Sequence, residues 1–489
     1  MNKPAHVGCH ALLVIALLGC CAQALADTVS HSSNVRLQSL LEPDIVAPQP
    51  RALTVKGWKT TAGSKVLFIR TTAAPMFDVH VSFEAGSARS NIPGLAGATY
   101  NMLSEGVPGM ESHQAIIGTF QSLGARLSMD IGLHRSEFSL RSLSEVEKRA
   151  PALRLFSQML GSPLLSDDAL VRAKNEAKDI LLRGIQNPTS FAFQTLKEQL
   201  APERPYAQPT FGTNEALESL TRQAVQDFHR QAYSAPTAQI TLVGDLTLEQ
   251  AQLISQQISS ALPGSRHAVA GPNSSSSAGT PKNSHIEREL QQTQLLLAQS
   301  TVPRKHADYL ALDAANMIFE NRLMTELREK RGLVYGTEIL QWDWADGALA
   351  VISLRTSPHF SQGTQTLLRS MFTDYLRDGP TQQEVDQLKR RMKSSIAHDT
   401  ANNSQILDQL IKINRYDLPL DLDHTVQQMQ KLTPKQIKDA LNRHLEADGW
   451  HVLTVGPTAE QQPLPAPVSP SADPLQQDIC RATQTFMAI

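Results

Sequence analysis

Two stretches of the chain share one pattern of residues, and that pattern decides the fold. The sequence LTRQAVQDFHRQAYSAPTAQITLVG occupies residues 220–244, and LTPKQIKDALNRHLEADGWHVLTVG occupies residues 432–456. Each begins with Leu-Thr, continues with apolar residues at helical spacing and ends in an apolar run that closes on Val-Gly. The first Leu and the last Gly are 24 residues apart in both. A helix followed by a strand is therefore predicted twice, and the recurrence favours an internal duplication.

The residues upstream of each stretch also repeat a strand and then a helix. Residues 77–83 alternate with the period of a half-buried strand, and a helical pattern follows through Leu103. In the second half, an apolar run at 295–297 precedes a helical pattern over about 307–330. Further strands are predicted at 127–133 and 349–353, and amphipathic helices at 144–161, 166–184, 362–378 and 382–415. This order predicts an α+β fold, a mainly antiparallel sheet with helices packed on one face, present twice.

Composition divides the chain of 489 residues into segments. Residues 263–284 are rich in Gly, Pro, Asn and Ser, which predicts a flexible linker. This linker separates two homologous domains, predicted at 51–262 and 285–460. Residues 27–50 are expected to form a lead-in segment, and residues 461–489 a Pro-rich tail.

Residues 1–26 are predicted to be a secretory signal peptide. Lys3 precedes the apolar residues 11–18, and small residues suited to cleavage precede Asp27. An alternative processing site, Leu-Leu-Gly-Cys ending at Cys20, resembles a bacterial lipoprotein box and would leave that cysteine as a lipid anchor. We therefore expect a periplasmic protein, with a lipoprotein anchored to a bacterial membrane as the alternative.

The composition argues against several classes of function. Lys and Arg total 45 against 47 for Asp and Glu, so no basic surface for nucleic acid is expected. The chain has four cysteines, and cleavage before Asp27 would leave only Cys480. Neither a disulfide framework nor a cysteine-based zinc site is therefore expected. The sequence also lacks a G-x-S-x-G elbow, a P-loop and a dinucleotide-binding glycine motif.

Two passages resemble a known family. Residues 94–103, GLAGATYNML, resemble the helix that carries the inverted zinc motif H-x-x-E-H in the pitrilysin/insulinase family of metallopeptidases. Residues 327–335, LREKRGLVY, are similar to the Arg/Tyr segment in the second domain of that family. Pro205-Tyr206, Gly212-Thr213 and the two Val-Gly strand ends extend the resemblance over most of residues 51–460.

The chain departs from the family pattern at the zinc motif. The first histidine falls on Gly97, the catalytic glutamate on Tyr100 and the second histidine on Asn101. Glycine has no ligand atom, a neutral amide is a poor zinc donor, and a phenol with a pKa near ~10 is a poor base at neutral pH. Zinc binding needs two imidazoles on one helix face with a carboxylate beside them. We expect this site to bind no metal and to hydrolyse nothing.

No other site is predicted to replace the lost one. The third zinc ligand of the family, a downstream glutamate, would align with Glu176, or alternatively with Arg183 or Gly184. Taken by itself, Glu176 is interpreted as a solvent-exposed helix residue. Two local histidine groupings lack a complete ligand set and are assigned ordinary roles: His134 with Glu137, and His444 with His451.

The Arg/Tyr segment is intact. Lys330 and Arg331 followed by Gly332 predict a helix C-terminus with a left-handed glycine cap. Arg328 then lies on the last turn and Tyr335 on the strand that follows, so that both side chains can converge at the corner.

The resemblance implies a role for these two residues. In the family, the matching Arg and Tyr act on bound peptide and on the oxyanion that forms during hydrolysis. Arginine is permanently charged and tyrosine is a compact donor, both suited to that task. Read from the residues alone, Arg328 could instead pair with Glu326 or Glu329, and Tyr335 could belong to the core.

An erased zinc motif with a retained Arg/Tyr segment resembles the non-catalytic subunits of two-chain members of this family. We therefore expect this chain to supply Arg328 and Tyr335 to a zinc-bearing sister subunit and to form half of a peptide-binding chamber. It would bind no cofactor itself, and zinc would be in the partner. The alternative is an inert peptide-binding or scaffold protein of the bacterial envelope.

Overall fold

A computed structural model describes residues 53–201, 206–264, 282–344 and 347–468. The predicted signal peptide and lead-in segment lie outside the described residues, as do most of the predicted linker and the end of the tail. None of the helices within these ranges is both long and apolar enough to cross a bilayer.

The first half of the chain forms a six-stranded sheet. Its strands are β1 (Lys56–Lys59), β2 (Lys65–Arg70), β3 (Met76–Phe83), β4 (Arg126–Ile131), β5 (Ser136–Leu143) and β6 (Gln239–Gly244). Their spatial order is β1-β2-β6-β3-β5-β4. Neighbouring strands are antiparallel except β2 and β6, which are parallel.

The second half repeats this sheet almost strand for strand. Its described strands are β7 (Asn283–Glu287), β8 (Thr293–Thr301), β9 (Val334–Trp344), β10 (Gly347–Thr356) and β11 (His451–Gly456). Their order is β7-β11-β8-β10-β9, with β7 parallel to β11 and the other pairs antiparallel. This order matches β2-β6-β3-β5-β4 of the first sheet, so the predicted α+β fold and its duplication are confirmed.

The helices recur in the same order. The first half contains α1 (Leu95–Met102), α2 (His113–Ser122), α3 (Val146–Gly161), α4 (Asp167–Gln186), α5 (Pro188–Leu200), α6 (Asn214–Ser219), α7 (Arg222–Ala232) and α8 (Leu248–Ala261). The second contains α9 (Tyr309–Leu323), α10 (Ser361–Asp378), α11 (Gln382–Asp399), α12 (Asn403–Tyr416), α13 (His424–Gln430) and α14 (Pro434–His444). Helices α3 to α7 thus correspond to α10 to α14.

The repeated Leu-Thr of the sequence marks the start of a helix in both halves. The Thr221 hydroxyl accepts a hydrogen bond from the backbone N–H of Ala224 at the start of α7, and the Thr433 hydroxyl accepts one from Gln436 at the start of α14. Such side-chain caps satisfy N–H groups that have no partner inside the helix. The helices then lead into β6 and β11, as the two quoted stretches predict.

Two predicted boundaries differ from the structure. The amphipathic stretch 382–415 is two helices, because Asn402 begins a new one: its side-chain oxygen accepts the backbone N–H of Gln405. The predicted linker is shorter at its end, since Asn283 and Ser284 already lie in β7 beside β11.

One helix from each half crosses to the sheet of the other half. Helix α12 packs apolar side chains on the first sheet, against Leu67, Ile69 and Val243. Helix α5 packs on the second sheet, against residues that include Leu296 and Val351. The other helices of each half cover the opposite face of their own sheet. Each sheet therefore has helices on both faces, where the sequence predicted helices on one face, because a helix of the other half covers the second face. The two halves share the two apolar cores that these crossing helices form.

Truncation of a crossing helix tests this arrangement. Leu410 of α12 is fully buried between the halves, and Leu410→Ala should lower the free energy of unfolding by about 2–5 kcal/mol, because it leaves a cavity. Leu253→Ala on α8, where the side chain is 71% exposed, should change it by no more than about 0.5 kcal/mol. Urea denaturation of both variants measures the difference, and an unchanged midpoint for Leu410→Ala would contradict the packing.

Candidate functional site

The helix that aligns with the zinc motif, α1, is packed against a loop that leaves no space for a ligand at its first position. Gly97 is buried, and a Cβ atom there would lie 2.7 Å from Cδ1 of Phe211 and 2.8 Å from the carbonyl oxygen of Thr210. Any side chain at position 97, a histidine included, would have to displace this loop. The sequence shows that position 97 has no ligand. The structure shows in addition that the loop fills the space that the Cβ atom of a histidine side chain would need.

The same loop approaches the start of α1 through two glycines. Gly94 and Gly212 both have φ +82°, and a Cβ at Gly212 would lie 2.8 Å from Cα of Gly94. Glycine is suited to this position because a positive φ and a close backbone contact both exclude larger residues. The contact holds Thr210 and Phe211 against Gly97.

Tyr100, at the position of the catalytic glutamate, is half-buried with its ring centroid 5.7 Å from that of Phe138. Burial raises the pKa of the Tyr100 phenol well above its ordinary value, and the negative charges of Asp130 and Glu176 raise it further. Because the phenol holds its proton at physiological pH, it cannot act as the base that the glutamate would be.

The candidate third ligand, Glu176, lies on a helix next to Tyr100 and raises the pKa of the phenol through its negative charge. Glu176 is exposed on α4, which packs beside α1. Arg183 lies seven residues farther along the helix, about 10 Å away at the helical rise. Glu176 therefore lies on the helix next to the degenerate motif, near enough for its charge to act on Tyr100.

Asn101, at the second histidine position, is 8% exposed. Its Nδ2 atom is buried and has no hydrogen-bond partner in the described part of the chain. An amide N–H₂ group has no lone pair to offer a metal. With Gly97, Tyr100 and Asn101 in the motif, Glu176 is left as a single carboxylate, and these residues do not fit a zinc ion, which needs at least three protein ligands.

The Arg/Tyr segment lies in the second half, where α9 continues into a π-helical turn over Met324–Lys330. The turn ends as predicted at Gly332, whose φ is +62° and whose N–H donates to the carbonyl of Arg328 at 3.0 Å. Strand β9 then begins at Val334. The turn and the strand bring Arg328 and Tyr335 to one corner.

Arg328 and Tyr335 are in contact with each other. The guanidinium carbon of Arg328 lies 5.1 Å from the centroid of the Tyr335 ring, within the range of a cation–π interaction. Tyr335 is 69% exposed, so it is not a core residue. The sequence-based alternative in which Tyr335 is buried is therefore wrong.

The alternative pairing of Arg328 with a glutamate is not formed either. Lys330 and Arg331 both bind the Glu326 carboxylate, at 3.0 and 2.8 Å. Within the described ranges, Arg328 makes no ion pair with Glu326, Glu329 or any other carboxylate. No carboxylate of the described ranges therefore pairs with its charge.

An open cleft of about 510 Å³ adjoins Tyr335. Its walls include Gln294 of β8, Thr337 and Glu338 of β9, and Arg355 of β10. Strand β9 is the edge strand of the second sheet. The exposed phenol thus lies beside a polar cleft large enough to receive a peptide segment.

Sequence reasoning missed one element of this site, the start of the Pro-rich tail. Arg331 donates to the carbonyl of Pro465 at 2.8 Å, and the N–H of Val468 donates to the carbonyl of Lys330 at 2.8 Å. Leu464 packs against Gly363 of α10. Composition alone marks this stretch as a tail, and the residues that bind it lie more than 100 positions earlier in the chain.

The histidines considered from the sequence lie in different surroundings. His444 hydrogen-bonds to Asp308, and His451 is buried in β11. His134 packs its ring beside Tyr206, at 6.5 Å between centroids.

Comparison with known proteins assigns the chain to a family. A family model described as peptidase M16 inactive domain matches residues 219–392. The crystal structure of a peptidase M16 inactive domain from Pseudomonas fluorescens is 38% identical, with a TM-score of 0.78, and covers 84% of this chain and 100% of that one. The Helicobacter pylori protein named non-peptidase homolog YmxG is 25% identical over 399 residues, 78% of this chain and 89% of that protein.

A longer protein shares the fold. The structure of the periplasmic protease PqqL from Escherichia coli has a TM-score of 0.65 at 14% identity, and the match covers 84% of this chain but 46% of PqqL. The likeness to the Pseudomonas fluorescens domain, in contrast, extends to sequence over the whole of that relative. The resemblance to the pitrilysin/insulinase peptidases, peptidase family M16, is thereby confirmed, and the chain belongs to this family as a non-catalytic member.

Proposed function

We propose that the chain is the non-catalytic subunit of a heteromeric zinc metallopeptidase and that it supplies Arg328 and Tyr335 to a partner's active site. The observation that carries the proposal is the Arg328–Tyr335 contact: a cation without a carboxylate partner in the described chain, stacked on an exposed phenol at the edge of an open cleft. The 69% exposure of Tyr335 favours a role at the surface over a role in the core.

The chemistry of the two side chains suits a peptide in the act of being cleaved. The Arg328 guanidinium can donate hydrogen bonds to a peptide carbonyl, and the Tyr335 hydroxyl can donate one to the oxygen that becomes negative. The stacked guanidinium orients the phenol and adds positive charge beside that oxygen. The zinc that activates water would belong to the partner subunit, since the residues of α1 do not fit it.

The similarity to inactive peptidase M16 domains supports an assembly with a catalytic partner, because a chain without the zinc ligands can contribute to hydrolysis only beside one that has them. We propose that the partner is a zinc-bearing sister subunit of the same family and that peptides bind between the two.

The proposed location is the periplasm, on the basis of the predicted signal peptide at residues 1–26. Lipidation at Cys20 would instead anchor the same assembly to a membrane. PqqL, which shares the fold, is described as a periplasmic protease.

Isolation of the native complex tests the proposal. The chain should purify with a second chain that contains an intact H-x-x-E-H motif, and the complex should hydrolyse fluorogenic peptides in a chelator-sensitive manner. In the scaffold alternative, the chain purifies without a zinc-bearing relative, and its fractions hydrolyse nothing.

A further inference from the structure

A cluster of two histidines and an aspartate, outside the degenerate motif, lies where α9 begins and α14 ends. His306 and Asp308 immediately precede α9, and His444 is the last residue of α14. The two helices pack against each other, which fixes the distance between these ends. The sequence does not reveal the cluster, because its two histidines are 138 positions apart.

The three side chains point at one another. His444 Nε2 lies 2.7 Å from Asp308 Oδ2, and His306 Nδ1 lies 4.0 Å from the same oxygen. The two imidazole rings are 5.0 Å apart at an angle of 82°. One ligand atom from each residue lies within 4.8 Å of the other two. Ligands around a tetrahedral zinc ion, with bonds of about 2.0–2.1 Å, lie roughly 3.4 Å apart, so small side-chain rotations bring these three atoms to bonding positions.

Asp308 directs its carboxylate to this cluster rather than to its own helix. It occupies the N-cap position of α9, yet its side chain accepts no capping hydrogen bond there. Its Oδ2 atom instead accepts hydrogen bonds from His444 and from Arg443. The carboxylate therefore faces the imidazole of His444.

We propose that His306, Asp308 and His444 form a binding site for a transition-metal ion of the zinc class. Two imidazoles and one carboxylate are ligands that Zn²⁺, Co²⁺ and Ni²⁺ accept, whereas Mg²⁺ and Ca²⁺ prefer oxygen alone. A fourth position stays open to water. A bound ion would link the loop before α9 to the end of α14.

Two neighbouring contacts would change when the ion binds. Arg443 donates to the same Asp308 oxygen at 2.7 Å, but its side chain is 57% exposed and can turn into solvent. The backbone N–H of Asp308 donates to His306 Nδ1 at 3.1 Å, and the ion would take its place. Arg443 thus competes with the metal, and its removal should tighten binding.

Cobalt titration of the full exported chain without an affinity tag tests the proposal. All variants carry Cys480→Ser, so that the thiol contributes nothing. We expect visible d–d absorption that saturates at one equivalent of Co²⁺, is displaced by Zn²⁺ but not by Mg²⁺, and weakens as protons compete at low pH. Ligand variants His444→Ala and Asp308→Asn should bind at least about 10–100-fold more weakly, and Arg443→Gln more tightly.

His285→Ala is the matched control, since His285 lies 3.4 Å from Glu287 in an exposed pair with no third ligand among the residues that the structure describes. This variant should bind like the parent. Absence of saturable absorption, or equal affinity in His444→Ala and the parent, would overturn the proposal. Neither result bears on the partner subunit, because this site lies apart from Arg328 and Tyr335.

Discussion

In the proposed complex with a zinc-bearing partner, Arg328→Ala should lower kcat for peptide hydrolysis about 10²–10³-fold, the usual cost of losing one donor to a developing oxyanion. The loss corresponds to about 2.7–4 kcal/mol of transition-state stabilisation. The change removes both the guanidinium and its stacking on Tyr335, and Glu326 keeps its own partners Lys330 and Arg331. Steady-state kinetics of complexes assembled with each variant measure the effect.

Tyr335→Phe separates chemistry from structure. This variant keeps the ring under Arg328 and removes only the hydroxyl, so complex assembly and stability should be unchanged while kcat falls. Arg154→Ala, at an exposed position on α3, is a matched charge removal that should leave kcat as it is. Equal kcat in the Tyr335→Phe and wild-type complexes would remove the oxyanion role.

Gly97→His should destabilise the fold. Its Cβ atom would lie 2.7–2.8 Å from atoms of Phe211 and Thr210, one of which belongs to the backbone, so the loop must move. Overpacking of this kind costs about 1–3 kcal/mol of unfolding free energy. Chemical denaturation measures the change. The matched control is Gly118→Ala, since a Cβ on this exposed helical glycine meets no atom within 4 Å, and it should stabilise the chain by about 0.5–1 kcal/mol.

The same packing predicts that restoring the motif does not restore the enzyme. The triple variant Gly97→His, Tyr100→Glu, Asn101→His restores the complete H-x-x-E-H motif in the sequence. Its new carboxylate at position 100 would face the negative charges of Asp130 and Glu176, which already oppose a charge there. We expect chelator-sensitive hydrolysis to remain absent, and its appearance in a stably folded triple variant would contradict this account of α1.

Much of the fold follows from sequence because the pattern is repeated. The alternation at 77–83 lies in β3, and each Leu-Thr stretch contains one capped helix and one strand. Local periodicity determines such elements. It does not determine which sheet an apolar helix face will cover, and so the exchange of α5 and α12 between the halves appears only in the structure.

The part of the site that depends only on residue identity could be predicted from the sequence. The loss of zinc ligands at Gly97 and Asn101 follows directly from the residue types. The loop that covers Gly97, in contrast, comes from residues more than 110 positions away. The corner that brings Arg328 and Tyr335 together follows from Gly332, whereas the π-helical form of the turn before it does not. The cluster at His306 and His444 depends likewise on the packing of two distant helix ends.

In the proposed assembly, this chain cleaves no peptide alone and completes the site of a zinc-bearing partner. Zinc content does not test this claim, because the His306 cluster offers a metal site unrelated to hydrolysis. The direct measurement is the rate of fluorogenic peptide hydrolysis by this chain, by the partner and by an equimolar mixture, each with and without chelator. The account predicts chelator-sensitive turnover in the mixture alone. Turnover by this chain in isolation, or equal turnover by the partner with and without it, would contradict the account.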